Sequence, residues 1–277
     1  MAFCGLADAH ALLALFEFVP PNEAFPNARV NAELALKLEP NLAEAHASLG
    51  LVMFQYEYNW KLAEASFRRA IELNPNYPPA HQFYADFLKA MGRFDEALAE
   101  MRRAFELDPL SLAINTGVGH VLYLSRQYDL AIEQYLKALE LDPKFVQAHL
   151  WFGRPYLQKG MYEEAIDEVR QAVELSGEST ISLAVLGHVY ASAGKKDEAL
   201  KIIEKLKERA KERYLPSYWI ALIYAGLDEK DKAFEWLQRA FRERSSWLVW
   251  IKVEPRFDSL RSDQRFGSLL RSMNHTQ

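Results

Sequence analysis

Glu106-Leu107-Asp108-Pro109 occurs, with small changes, four times in this chain. Glu72-Leu73-Asn74-Pro75 precedes it, Glu140-Leu141-Asp142-Pro143 follows it, and Leu38-Glu39-Pro40 is an earlier, degraded copy. The prolines at 40, 75, 109 and 143 step by 35, 34 and 34. A fixed period of about 20 to 50 residues is the signature of stacked repeats. Three ladders of small residues keep the same step. One runs Ala28, Ala63, Ala97, Ala131, Ala165, Ala199, Ala233; a second Gly50, Ala85, Gly119, Gly153, Gly187, Ala221; a third Ala35, Ala70, Ala104, Ala138, Ala172, Leu206, Ala240. Small side chains let two helix backbones approach closely, where a bulkier one would cost about 1–3 kcal/mol in strain.

One unit shows the internal logic. Ala80 to Met91 reads as a helix with Phe83, Ala85, Phe87 and Leu88 apolar. Gly92 suits a left-handed helix end, and Asp95 is expected to cap the next start. Phe94 to Leu107 reads as a second helix, with Leu98, Met101 and Phe105 stepping by three and four and Ala97 four before Met101. Asp108-Pro109 stops it, because proline lacks the amide donor.

This pattern resembles the tetratricopeptide repeat over nearly the whole chain, in about seven copies. The resemblance implies an all-α, right-handed solenoid of helix-turn-helix units. The first helix of each pair would line a concave groove and the second would face outward. Residues 1–246 would form the solenoid and 247–277 a C-terminal capping segment. Trp247 and Trp250 would cover the last repeat, with Asp263 to Ser272 as a final helix. The tail also resembles the ends of repeat modules attached to bacterial winged-helix regulators, cyclases or kinases.

The copies depart from one another in informative places. The first, about 2–41, carries Pro20-Pro21 and Pro26, and Phe16 to Pro26 reads as an extended loop. The second has one extra residue near Tyr56-Glu57-Tyr58-Asn59-Trp60. The fifth holds Pro155 inside its first helix, which removes a hydrogen bond and kinks it. The sixth lacks the closing proline, so Lys201 to Arg213 reads as one long charged helix. The opening residues are already repeat-like, which suggests a fragment start.

Net charge is −5 over 277 residues, with acids and bases interspersed. No long basic block points to nucleic acid or an anionic membrane. No apolar run approaches the roughly 20 residues of a membrane span. The one cysteine, Cys4, suits a reducing, cytoplasmic setting. No phosphate loop, nucleophile-base motif or metal-ligand spacing is present, so no catalysis, metal or cofactor is expected.

The remaining candidate is the groove. His46, His81 and His149 recur four residues before the small-residue seat, which points to a repeated packing role. His120, Arg154 and His188 directly follow Gly119, Gly153 and Gly187. The resemblance places that position in the groove, along with Gln82, Asp86, Lys89, Thr116, Tyr123, Leu150 and Gln158. A protein or peptide with asymmetric charge is the expected partner, with Arg154 pairing a carboxylate. His120→Ala with Arg154→Ala is then expected to weaken partner binding without lowering the melting temperature. The Lys and Asn set that some relatives use to hold chaperone tails is absent: Ala47, Leu51, Gln82, Asp86, Thr116 and His120 stand there. The Trp247–Ile251 patch is a candidate for self-association.

Overall fold

The computed structural model describes residues 2–212 and 214–275, and among these every regular element is a helix. The chain divides into two compact units. The first comprises Met1–Pro109, Phe241–Val253 and Ser268–Gln277. In it α1 (Ala2–Leu15) packs on α2 (Pro21–Leu38), α3 (Ala43–Val52) on α4 (Trp60–Leu73), and α5 (Pro78–Ala90) on α6 (Phe94–Leu107). The second comprises Leu110–Ala240 and Glu254–Gly267. Here α7 (Leu112–Leu124) packs on α8 (Tyr128–Leu141), α9 (Val146–Gln158) on α10 (Tyr162–Leu175), and α11 (Thr180–Ser192) on α12 (Lys196–Arg209). The next helix, α13 (Ser217–Gly226), packs on α11 and α12. After α14 (Lys230–Arg242) come 3-10 turns at Ser246–Trp250 and Pro255–Leu260, then α15 (Gln264–Ser272). Consecutive hairpins are the architecture expected of a helical repeat solenoid.

The ladders occupy the seats their size implies. Ala28, Ala63, Ala97, Ala131, Ala165, Ala199 and Ala233 are all 0% exposed. Each buried methyl adds about 0.8 kcal/mol, but larger gains are blocked by the neighbours. A Cβ on Gly119 would stand 2.6 Å from the Tyr135 ring, and one on Gly153 would stand 2.5 Å from Val169 Cγ2. One on Gly50 would meet Phe67 at 2.7 Å, and one on Gly187 would meet Ile223 of α13 at 2.8 Å and Ile202 at 2.9 Å. In all four hairpins the glycine of the first helix faces a bulky residue of its own second helix. The ladder therefore sets the spacing within each pair.

Three local expectations are corrected. The loop read from Phe16 to Pro26 is shorter, because α2 begins at Pro21 and continues through Pro26. Pro21 sits in the first turn, where its missing N–H is no loss. The extra residue of the second copy is absorbed as a π-turn, Met53–Glu57, ending on Tyr58 at φ 54°. A π-turn is the usual way a helix accommodates one inserted residue. Asp95 is not a cap: the N-cap position is Arg93, and Asp95 lies in the first turn, where its charge suits the helix dipole. The long charged helix of the sixth copy runs Lys196–Arg209, and Arg213 lies outside the described residues. α9 runs on through Pro155. Among the described residues, no helix is long and apolar enough to cross a membrane.

Candidate functional site

Repeated histidines do a repeated job, and it is polar as well as steric. His46, His81 and His149 each place Nε2 against the carbonyl of a loop proline six residues back: Pro40 at 2.9 Å, Pro75 at 2.9 Å and Pro143 at 3.0 Å. His81 and His149 also place Nδ1 against Glu100 (2.6 Å) and Glu168 (2.7 Å) on the second helix. These rings tie loop, first helix and second helix together. At His81 burial disfavours the charged ring, but the Glu100 and Pro75 acceptors outweigh it and raise the pKa.

In the first unit, Gln82, Asp86 and Lys89 lie on α5. Gln82 and Asp86 are half-buried, while Lys89 is 2% exposed. Lys89 Nζ pairs with Asp86 Oδ1 at 2.6 Å and sits 5.7 Å from the Trp250 ring centre. Trp250 Nε1 donates to the Asp86 carbonyl at 3.4 Å, and its ring meets Phe54 edge-on at 6.2 Å. Leu248, Val249 and Ile251 are buried. The apolar patch considered for self-association is therefore used inside the chain. Trp250 lies against α5, which offers it a cation and a carbonyl, and against Phe54 of the Met53–Glu57 turn, which offers an aromatic edge.

In the second unit, Thr116, His120 and Tyr123 stand on α7, Leu150, Arg154 and Gln158 on α9, and His188 on α11. All are buried except the half-buried Gln158. Thr116 Oγ1 donates to the Leu112 carbonyl at 2.9 Å. Arg154 Nη1 donates to His120 Nε2 at 3.4 Å, and its guanidinium lies 5.6 Å from the Trp151 ring centre. The chain's own turn, Pro255–Leu260, supplies what faces them. Arg256 donates to Glu254 through Nε (2.9 Å) and Nη2 (2.8 Å), a two-pronged pair whose side chains are 1% and 2% exposed. Tyr123 Oη donates to Glu254 Oε1 at 2.6 Å.

This burial sets the charges. Desolvation alone would raise the Glu254 pKa, but Arg256, Arg154 and the Tyr123 hydroxyl outweigh it and hold it at about 2. Burial, then the nearby Arg256 charge, pushes Arg154 down from its ordinary value. Burial and the Arg256 charge lower His188 to about 3, so that ring is neutral. Burial and the Glu254 carboxylate push the Tyr123 phenol well up.

The expected open groove is corrected by this arrangement. The carboxylate acting on Arg154 is Glu254 of the same chain. Removing His120 and Arg154 together would disturb a buried cluster, so the expectation of an unchanged melting temperature no longer holds. The sequence reading missed Glu254 and Arg256. The available signal was an acid and a base flanking Pro255 amid a dense apolar stretch.

Models described as tetratricopeptide repeat match residues 55–115, 146–179 and 182–213, and one described as TPR repeat matches 119–160. The protein O-mannosyl-transferase Tmtc1 of Drosophila melanogaster is 33% identical over 86 residues. That stretch is 31% of this chain and 10% of the relative, so the chain spans about a tenth of that protein. A crystal structure of a tetratricopeptide repeat protein from Parabacteroides merdae covers 99% of each chain at 16% identity and TM-score 0.61. A thermophilic repeat protein of Thermus thermophilus covers 61% of this chain and 92% of its own at 23% identity and TM-score 0.56. These likenesses show the fold. With repeat models matched in succession from residue 55 to 213 and the hairpins in place, the chain belongs to the tetratricopeptide repeat family.

Proposed function

We propose that the chain is a non-enzymatic scaffold that binds a protein or peptide along the first helices of its hairpins. In the described state, a segment of its own holds that place. The observation that carries this reading is the Glu254 carboxylate, buried on Tyr123 and Arg256. A segment that presents a carboxylate is the ligand chemistry that His120, Arg154 and His188 suit. Residues 1–246 are then the scaffold and 247–277 its internal occupant. The net charge of −5 favours protein over nucleic acid as partner, and the single, buried Cys4 suits a reducing compartment such as the cytoplasm. A second reading makes the chain an arm of a larger regulator, cyclase or kinase. It is favoured by the match to Tmtc1, in which the matched stretch is a tenth of a longer chain.

A fluorescent peptide of residues 246–262 tests the main reading. An attached occupant competes at roughly millimolar effective concentration, so the native chain should bind the free peptide weakly. Glu254→Gln with Arg256→Gln loosens the occupant and should raise peptide affinity at least about tenfold. A folded variant that binds no better than the native chain would contradict the reading.

A further inference from the structure

In the first unit, the side of α1 that faces away from α3 is apolar and open. Ala7, Ala11 and Ala14 of α1 repeat, 36 residues earlier, the buried Ala43, Ala47 and Gly50 of α3. On that register Leu6 and Ala9 correspond to Leu42 and Ala45. Leu42 and Ala45 are buried with Cys4 and Ala35, so the preceding helix pair covers them. Ala80 of α5 is likewise buried with Ala70 of α4. On α1 the same seat is exposed: Leu6, Leu12, Leu13 and Phe16 are 38–56% exposed, and a Cβ on Gly5 would meet nothing within 4 Å. The open side continues on α2. Arg69 and Arg103 each reach back to the preceding copy, donating to Asn41 at 2.9 Å and to Asn76 at 3.1 Å. The matching position on α2 is Leu34, and Val30 lies one turn before it; both are exposed.

We propose that this face is a two-fold dimer contact, in which α1 lies antiparallel on α1 of a second copy with Ala9 at the axis. A two-fold contact needs a patch that complements itself, and this one does so about Ala9. In an antiparallel pair centred there, Phe16 faces Ala2, Leu13 faces Gly5, Leu12 faces Leu6, and Ala9 faces its own copy. Toward each end a large side chain has a small one opposite, and the residue at the axis is small, so the two helices can approach closely. The exposed stripe of α1 carries no charged side chain. Asp8 is half-buried and accepts from Ser48 Oγ at 2.5 Å, and His10 is half-buried. A second copy therefore meets no like charge on α1, whereas a strongly acidic or basic partner would find no counter-charge there. With Val30 and Leu34 included, the contact buries on the order of 1,000 Å² over both copies, the size at which a specific interface begins. This goes beyond the proposed scaffold role and does not depend on it: two scaffolds joined through their first hairpins present every binding face twice.

Sedimentation equilibrium of the full chain, from about 1 to 200 µM, tests it. The native chain should pass from monomer to dimer and no further, with a Kd on the order of 10 µM. Sodium chloride should not weaken an apolar contact of this kind. Ala9 is exposed, so Ala9→Glu and Ala9→Lys should leave the melting temperature of the dilute protein unchanged. Each variant alone sets two like charges against each other at the axis and should raise the Kd at least about a hundredfold. An equimolar mixture of the two should restore the dimer, because residue 9 faces residue 9. A native chain that stays monomeric to about 200 µM, a mass that climbs past the dimer, single variants that dimerise as the native chain does, or a mixture that stays monomeric would each overturn the proposal.

Discussion

Glu254→Ala is expected to lower stability by about 3–5 kcal/mol, the cost of leaving a buried cation without its partner. The carboxylate accepts from Arg256 at two positions and from Tyr123, and it acts on Arg154. Its removal leaves two guanidiniums inside the second unit facing each other. Glu254→Met with Arg256→Met should recover much of the loss, since apolar replacement of a whole buried pair is often neutral or better. The pH dependence has a definite sign. The folded carboxylate sits at about 2, below its ordinary 4.5. Its contribution is therefore complete above about pH 4.5 and lost as pH falls toward 2. Chemical denaturation of the native chain should show this acid limb, and the double Met variant should lack it. A Glu254→Ala protein as stable as the native one at pH 7 would remove the cluster from the account.

Gly153→Leu should cost about 3 kcal/mol through overpacking. Even the first added carbon would meet Val169 Cγ2 at 2.5 Å and the Ala165 carbonyl oxygen at 3.1 Å. The carbonyl belongs to α10 and cannot turn aside as a side chain does. Val169→Ala should relieve only part of the loss for that reason. Gly5→Ala is the control: nothing stands within 4 Å of its added carbon, and alanine favours helix by about 1 kcal/mol. Denaturant melts should thus move in opposite directions for the two glycines. Equal effects would mean that the glycine ladder does not set the spacing of the helix pair.

The hairpins were legible because their cause is periodic. Close helix contact demands a small side chain at each return, and Ala97, Ala131 and Ala165 recur every 34 residues and are all fully buried. The extra residue near Tyr56 was visible as a break in that step, but such a break does not say that a π-turn, Met53–Glu57, absorbs it. The histidines were visible as a set, though not their partners. The position 19 residues on is Glu100 after His81 and Glu168 after His149, but with the extra residue of the second copy the equivalent after His46 is Ser66, so only two rings gain a carboxylate. The occupied first-helix face was not legible at all. After residue 246 the period stops, and the Tyr123–Glu254 bond spans 131 residues of sequence. Periodicity carries no information about such a contact.

A double-mutant cycle on that bond tests the central claim, that the chain's own carboxylate occupies the first-helix face of the second unit. Tyr123→Phe, Glu254→Gln and the double variant would be melted in denaturant at pH 7. A hydroxyl donating to a buried carboxylate at 2.6 Å predicts a coupling of about 1.5–3 kcal/mol. Costs that simply add, within about 0.5 kcal/mol, would place Glu254 away from Tyr123 and contradict the account.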